Sequence, residues 1–327
     1  MKSRWSGFES VVASDIEQFL AHKRALGMRF DTEEKALRIL DRYLAEHGVL
    51  SLAAVTASLL DTFLRSRPRR RPRSFNHLLG VLRRLFDWMV RQGRLARSPL
   101  AATPRRAVSR RQPFLFDVSQ ARRLLGLAGA LPDNNRALRR GPIYRAIFGL
   151  MYGLGLRVGE TSRLQITDVD LDRNVLVIRY TKFGKSRLVP FGPKMADLLR
   201  KHLKQLQPLP TGSQPVPLFS FSPGRPIHAG TISQTFRALA RQLDLEVPDG
   251  VISPCVHHLR HSFAVGTLLR WYRQGIQPTQ RLLQLSTFMG HVSPSSTAVY
   301  ITITDELLHE ANDRFERFAA ELVQDEP

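Results

Sequence analysis

Apolar residues recur at helical spacing along the first hundred residues of the chain. The repeat predicts four helices, each with one apolar face turned to a shared core. The four faces carry Ile16, Phe19, Leu20 and Leu26; Leu37, Leu40 and Leu44; Leu59, Leu60, Phe63 and Leu64; and Leu78, Leu82, Leu85, Phe86, Met89 and Val90. Gly27, Gly48 and Gly93 follow three of these faces, where a left-handed residue commonly ends a helix. Ser14 and Glu17 have the spacing of a capping box for the first helix.

The pattern changes after Pro113, where segments of strand and helix character alternate. Val175, Val177 and Ile178 predict a strand and residues 187–190 its return, so Lys182 is expected near the tip of a hairpin. Residues 207–230 are rich in Pro, Ser and Gly, which is typical of a surface loop. Helices are predicted for residues 119–128, 142–152, 231–243 and 304–323, and for a segment holding residues 257–269 with Ser253 and Pro254 at its cap and first turn.

These elements predict a mainly α fold with a small β-sheet, in the α+β class, divided into two domains. Residues 1–105 are expected to form a compact helical domain, and residues 117–327 a second, larger domain. The basic stretch between them, residues 106–116, is predicted to be a linker because prolines interrupt helix on either side of it.

Composition narrows the class of partner. The 327 residues carry 49 Lys and Arg against 28 Asp and Glu, a formal charge of +21, which favours a polyanion such as nucleic acid. No run approaches the roughly 20 apolar residues that span a bilayer, so we expect no membrane partner and a cytoplasmic protein. The single cysteine, Cys255, agrees with a reducing compartment.

Two arginine clusters are the candidate phosphate contacts. Residues 65–73 hold six arginines in nine positions, and a second cluster lies at the proposed domain boundary. Arginine binds phosphate oxygens through paired hydrogen bonds that position a protein on a duplex without reading its sequence. The alternative is a solvated loop. The candidate DNA-binding residues are Arg65, Arg67, Arg69, Arg70, Arg71, Arg73, Arg105, Arg106, Arg110 and Arg111.

Histidines concentrate between residues 255 and 261. Together with Cys255 they could be mistaken for a zinc site, but a closed site needs four ligands that converge on one point, and adjacent histidines on a helix point apart. We therefore expect no metal there. His257 and Arg260, at i and i+3, share one face of the predicted helix.

Four segments together resemble the boxes of the tyrosine recombinase (phage integrase) family. Residues 257–261 (HHLRH) are similar to the family's histidine and arginine box, and residues 152–160 (YGLGLRVGE) to its first arginine box. Residues 181–190 (TKFGKSRLVP) resemble its lysine hairpin, and residues 289–300 (MGHVSPSSTAVY) its final box. Each box alone is a weak signal, but the ordered set is specific.

The resemblance implies which residues act and how. It makes Tyr300 the nucleophile that forms a 3′-phosphotyrosine and leaves a free 5′ hydroxyl. The other implied catalytic residues are Arg157, Lys182, His257, Arg260 and His291. Attack on a phosphodiester needs the same parts: a nucleophile, cations that stabilise charge on the phosphate oxygens, and a proton for the leaving oxygen. The phenol of Tyr300 must lose its proton during attack, and we assign the handling of this proton to His257 and protonation of the 5′ oxygen to Lys182. The implied reaction needs neither metal nor ATP, so no cofactor is expected.

The remaining polar residues of these boxes are expected to support the site rather than to react. They are Glu160, His258 and His261.

The resemblance also implies partners and an assembly. The expected partner is double-stranded DNA, enclosed by a clamp of an N-terminal core-binding, SAM-like domain and a DNA breaking-rejoining catalytic domain. The expected assembly is a homotetramer on two DNA sites, with the helix after Tyr300 packing on a neighbouring subunit; sister recombinases could take part. A mobile genetic element is the expected source, and DNA integration or transposition a plausible outcome.

Two alternatives use the same boxes differently. A type IB topoisomerase has similar chemistry, but the helical N-terminal domain and the terminal helix disfavour it. A catalytically silent DNA-binding accessory protein would be expected to lack a reacting group, and none is missing here. Thr161 and Met289 depart from the residues usual in the family, and neither is a reacting group.

Overall fold

The computed structural model describes residues 7–69, 71–106, 112–179, 186–206, 215–222, 224–291 and 293–302. The chain divides into two compact units, Met1–Arg110 and Arg111–Pro327. The predicted α+β class, mainly helical with small sheets, is confirmed. Within the described residues, every helix is too short or too polar to cross a bilayer.

The first unit is a bundle of four helices, as the apolar spacing predicts. They are α1 (Ala13–Ala25), α2 (Asp31–Glu46), α3 (Ala57–Ser66) and α4 (Pro72–Arg91). The long α4 packs on α1 and α2 and buries nine residues, among them Leu78, Leu82 and Leu85. Burial of each such side chain is worth about 1.5–3 kcal/mol relative to exposure, so this apolar face accounts for much of the bundle's stability.

Two details of the first helix differ from the prediction. Its N-cap is Val12 without a side-chain cap, because Ser14 lies inside the helix and accepts a hydrogen bond from Gln18. The expected capping box is therefore wrong. Leu26 is exposed because α1 has already ended, so it does not belong to the apolar face. The predicted left-handed glycines are confirmed at Gly27, Gly48 and Gly93.

The second unit is built around one buried helix. Its helices are α5 (Val118–Gly129), α6 (Arg140–Leu154), α7 (Val158–Arg163), α8 (Pro193–Gln205), α9 (Ala229–Ala240), α10 (His258–Arg273), α11 (Pro278–Met289) and α12 (Ser295–Ala298). Helix α6 packs on α5, α8 and α10, and two-thirds of its residues are buried. Residues 299–302 form a 3-10 turn that contacts α10.

A small antiparallel sheet adjoins these helices. It comprises β1 (Val169–Asp170), β2 (Val175–Ile178) and β3 (Arg187–Pro190), with Val175 opposite Pro190 and Ile178 opposite Arg187. The predicted pairing of the last two strands is confirmed. The tip of their hairpin, including Lys182, lies outside the described residues, as does the predicted terminal helix.

Residues 207–214 of the expected surface loop lie outside the described residues, and the expectation is wrong for the segment that follows them. Leu218 and Phe219 are fully buried, and a short hairpin follows, of β4 (Ser220–Ser222) and β5 (Arg225–Pro226). Leu218 and Phe219 stand among proline and polar residues, so the apolar pattern does not predict that these two side chains are buried. The start of α10 is also later than predicted, because its N-cap is His257 rather than Ser253. The apolar pattern does not predict α7, α8 or α11.

Candidate active site

Five of the six catalytic candidates lie together where helices of the second unit begin or end. Arg157 precedes α7, His257 and Arg260 open α10, His291 follows α11, and Tyr300 lies in the 3-10 turn. The sixth, Lys182, lies outside the described residues. Residues far apart in sequence are thus brought together by the helix ends that carry them.

A glycine sets the position of Arg157. Helix α6 ends at Gly155, whose φ of 62° is in the left-handed region that favours glycine. A Cβ there would lie 2.4 Å from Cδ1 of Phe263 on α10, so the two helices meet at this point. Two residues later Arg157 starts α7, and its Nη2 donates to the carbonyl of Gly290 at 2.8 Å. The guanidinium of Arg157 therefore joins the ends of α6 and α11.

Arg260 is almost completely buried, with 1% of its surface exposed. Its Nη1 donates to the carbonyl of Gly155 at 2.5 Å and its Nη2 to the carbonyl of Met289 at 2.7 Å. Burial and the nearby charge of Arg157 lower its pKa to about 9. Among the described residues no carboxylate forms an ion pair with Arg260. A buried cation held only by neutral carbonyls favours a bound anion.

Glu160 is the buried carboxylate beneath this site. It accepts two hydrogen bonds from Arg187, from Nη1 at 3.0 Å and Nη2 at 2.9 Å, and one from Nη1 of Arg157 at 2.7 Å. The backbone N–H of Arg157 also donates to it at 3.0 Å. Burial alone would raise the pKa of Glu160, but Arg187 and Arg157 lower it to about 2. Glu160 is therefore ionised and holds both arginines in place.

Tyr300 is also buried, with 4% of its surface exposed, and packs with Leu268, Leu285 and Met289. Its hydroxyl is 2.8 Å from Nδ1 of His261. Burial raises the pKa of this phenol, while the charges of Arg260 and Arg157 act in the opposite direction. The hydroxyl therefore lies in the electrostatic field of Arg260 and Arg157, the two arginines of the candidate anion site.

Two histidines complete the site. His291 has its Nδ1 2.5 Å from the hydroxyl of Thr297, and burial with the charge of Arg260 lowers its pKa to about 4. His257 is exposed, with its ring 4.7 Å from that of His261 and nearly perpendicular to it. The protein atoms around His257 limit its hydration and lower its pKa, as do the charges of Arg260 and Arg157. Both histidines are therefore neutral near pH 7.

The described members of the arginine clusters lie in the first unit. Arg65, Arg67, Arg71, Arg73 and Arg106 are exposed. Arg70, Arg110 and Arg111 lie outside the described residues.

Arg105 connects the two clusters. Its guanidinium lies 4.0 Å from the ring centre of Phe75, and its Nη1 donates to the carbonyl of Arg69 at 3.0 Å. Its backbone exchanges two hydrogen bonds of 2.8 Å with the side chain of Asn76. The two arginine-rich segments therefore lie side by side at the N-terminal end of α4.

Three residues of the site are not among the catalytic candidates. The sequence predicts only supporting roles for Glu160 and His261, and none for Arg187. The i, i+3 spacing of Arg157 and Glu160 could have indicated their pairing. Arg187 lies in the segment that resembles the lysine hairpin. The contact of His261 with Tyr300 joins residues 39 positions apart, so no local pattern reports it.

The chain is similar in sequence to named recombinases and in fold to a solved integrase. The family described as "Phage integrase family" matches residues 131–306. A protein of Sinorhizobium fredii named as an integrase/recombinase, y4rB, is 32% identical over 92% of this chain and 96% of its own length. Tyrosine recombinase XerD of Xanthomonas axonopodis pv. citri is 30% identical over 91% of this chain and 94% of its own. The Tn1549 transposon integrase, solved in complex with transposon right end DNA, superposes with a TM-score of 0.64 at 18% identity, covering 95% and 100% of the two chains.

Proposed function

The chain belongs to the phage integrase family, and from this premise we propose that it is a site-specific DNA recombinase that cleaves and rejoins strands through a covalent phosphotyrosine at Tyr300. One observation carries the assignment of the nucleophile. The hydroxyl of Tyr300 lies among Arg157, Arg260 and His291, at a site where a buried cation has no acidic partner among the described residues. An anion bound there would face a polar oxygen able to attack it.

Each residue has a distinct part in the proposed reaction. Arg157 and Arg260 bind the nonbridging phosphate oxygens and stabilise the charge that grows as the phenol attacks. His291 adds a donor, and His257, at the exposed edge of the site, is the first candidate to handle the phenolic proton. Lys182 protonates the departing 5′ oxygen, a role that a flexible lysine suits better than the rigid fork of arginine.

The bond energy of the broken diester is kept in the phosphotyrosine. A 5′ hydroxyl of another strand can therefore reverse the step without ATP, and none of the proposed steps calls for a metal. The relatives are named as an integrase/recombinase and a tyrosine recombinase. These names support a recombinase rather than a type IB topoisomerase or a catalytically silent DNA-binding protein.

Double-stranded DNA is the proposed partner, in keeping with the DNA-bound integrase of similar fold. The exposed arginines around the start of α4 would contact phosphates and supply affinity without sequence readout. The division of the chain at residue 110 supports an N-terminal DNA-binding domain of residues 1–105, a linker of residues 106–116 and a catalytic domain of residues 117–327. We propose that the protein acts in the cytoplasm as a tetramer on two sites, alone or with sister recombinases.

Covalent trapping tests the proposed function without knowledge of the DNA site. The protein would be incubated with sheared DNA of the organism that encodes it, denatured, and stripped of unbound DNA. We expect protein–DNA adducts with the protein on the 3′ side of a small set of recurring sequences. Random ends, or the absence of adducts from every fragment, would contradict site-specific cleavage.

A further inference from the structure

His261 is the residue in direct contact with the proposed nucleophile. Its Nδ1 is 2.8 Å from the hydroxyl oxygen of Tyr300, and their ring centres are 5.3 Å apart. Among the described residues, no other side chain forms a hydrogen bond with that hydroxyl. His257, the histidine that the family resemblance singles out, packs its ring against the ring of His261.

Burial and neighbouring charges determine the protonation state of the His261 ring that contacts the phenol. The groups that face it are His257 and His258 on its own helix, Arg260 beside it, His291 after α11, and Tyr300 itself. Burial, together with His257, His258, Arg260 and His291, lowers the pKa of His261 to about 3, so the ring is neutral near pH 7. Burial raises the pKa of Tyr300, so the phenol is also neutral and can donate its proton to a neutral ring nitrogen.

We propose that His261 is a catalytic residue that accepts the phenolic proton of Tyr300 during strand cleavage; this rests on the proposed function. As the Oη–P bond forms and the P–O5′ bond breaks, the proton moves from Oη to Nδ1, and the 5′ oxygen takes a separate proton from Lys182. In the reverse step, a 5′ hydroxyl attacks the phosphotyrosine, and His261 returns its proton to the phenolate as it leaves.

Bound substrate strengthens this base. A scissile phosphate held by Arg157 and Arg260 places negative charge beside Arg260, whose own charge disfavours protonation of His261. The ring therefore becomes more basic only when the phosphate is in place. This would limit ionisation of Tyr300, and attack by it, to the DNA complex. His261 thus takes the part at the phenol for which the sequence proposes His257, and the ring of His257 packs against this base.

Two variants separate proton acceptance from positioning. In His261→Asn the amide oxygen can occupy the place of Nδ1 and accept the hydrogen bond, but it does not take up the proton. In His261→Ala both functions are lost, and imidazole added to the buffer can supply a diffusible base. The matched control is His228→Asn, the same change at the exposed residue that precedes α9, where the amide can still accept the bond from the backbone of Gly230.

Single-turnover formation of the covalent adduct on sheared genomic DNA is the main readout, with DNA binding and thermal melting measured alongside. We expect His261→Asn to bind DNA like the parent and to cleave about 100-fold more slowly, the usual size of a lost general base. We expect imidazole to restore part of the activity of His261→Ala, and His228→Asn to cleave like the parent.

The pH profile gives a readout that a purely structural role would not change. The parent rate should level off once His261 is deprotonated in the complex. The rate of His261→Asn should keep rising toward the pKa of Tyr300, because only the phenolate then attacks. Cleavage by His261→Asn at the parent rate, a loss equal to that of His228→Asn, or a parent-like pH profile would overturn the assignment and leave the proposed function standing. No adduct with the parent itself would overturn both.

Discussion

Glu160 orients two arginines beside the proposed anion site through hydrogen bonds within the protein. It neutralises Arg187 and fixes Arg157 through both its backbone and its guanidinium, while Arg260 is left to neutral carbonyls. The carboxylate thus orients one arginine of the site without cancelling the charge of the other. Preorganised charge of this kind stabilises a transition state without the cost of reorganisation during the reaction.

The low pKa of Glu160 predicts a pH-dependent stability. Its pKa of about 2 lies below the ordinary 4.5, so its contribution is present above pH 4.5 and is lost as the pH falls toward 2. The shift corresponds to roughly 3 kcal/mol at neutral pH. We expect Glu160→Gln to lower the free energy of unfolding at pH 7 by roughly that amount and to remove this part of the acid loss. Denaturant titrations of parent and variant from pH 7 to 3 measure both, and parallel curves would contradict the account.

Lys182 is tested through the leaving group. A 5′-bridging phosphorothiolate leaves as a thiolate without needing a proton. We expect Lys182→Ala to cleave the ordinary diester more than about 100-fold more slowly than the parent and to recover most of the rate on the sulfur substrate. Tyr300 still has to lose its proton, so His261→Asn should stay slow on both substrates. An equal defect of Lys182→Ala on both would refute the general-acid role.

At the scale of elements, the ends of helices build the site. The C-terminal ends of α6 and α11 supply carbonyls to Arg260 and Arg157, and the first turn of α10 supplies Arg260 itself. The left-handed Gly155 lets α6 end against Phe263 of α10. The spacing between these helices therefore sets the distance between the two arginines.

This predicts an effect of Gly155→Ala beyond backbone strain. The added Cβ would meet Phe263 at 2.4 Å and push α10 away from α6. Displacement of catalytic groups by about 1 Å can cost about 100-fold in rate, so we expect a loss of that order with DNA binding retained. Gly93→Ala is the control, because Gly93 also follows the end of a helix with a positive φ, and no atom of the described residues lies within 4 Å of its Cβ position. Equal cleavage losses in the two variants would show that strain alone is responsible.

Elements with strong periodicity could be predicted from the sequence, and those defined by tertiary contacts could not. The four helices of the first unit and the β2–β3 pairing follow from apolar spacing. Helix α7 has only six residues, too few to show a period, and Leu218 and Phe219 are buried by packing against distant segments. Within the site, the ordered boxes indicated Arg157, Arg260 and Tyr300, but the contact between His261 and Tyr300 depends on the packing of the 3-10 turn on α10.

At the scale of the whole molecule, the dominant property is the charge of +21. Charge of this size attracts a polyanion over long range and releases counterions on binding. Arginines that are exposed and adjacent, such as Arg65, Arg67 and Arg71, are best placed to contribute. The affinity for DNA of any sequence should therefore depend steeply on salt.

Replacing Arg65, Arg67 and Arg71 with glutamine should flatten that dependence. We expect the slope of log affinity against log salt to fall by roughly one for each phosphate that is no longer neutralised. The matched control replaces Arg237, Arg241 and Lys201, exposed residues of the second unit, and removes the same total charge. Equal slopes for the two triple variants would mean that total charge, and not this cluster, governs binding.

The central claim is that Tyr300 becomes covalently attached to DNA, and Tyr300→Phe tests it most directly. The variant loses one oxygen and keeps the buried ring, so it should fold and bind DNA nearly as well as the parent. The measurement uses a nicked suicide substrate built on a trapped site, from which a short fragment diffuses away after cleavage, followed by denaturing gels and peptide mass spectrometry. We expect an adduct on the peptide holding Tyr300 in the parent and none in Tyr300→Phe. An adduct that persists in the variant, or that maps to another residue such as Tyr272, would contradict it.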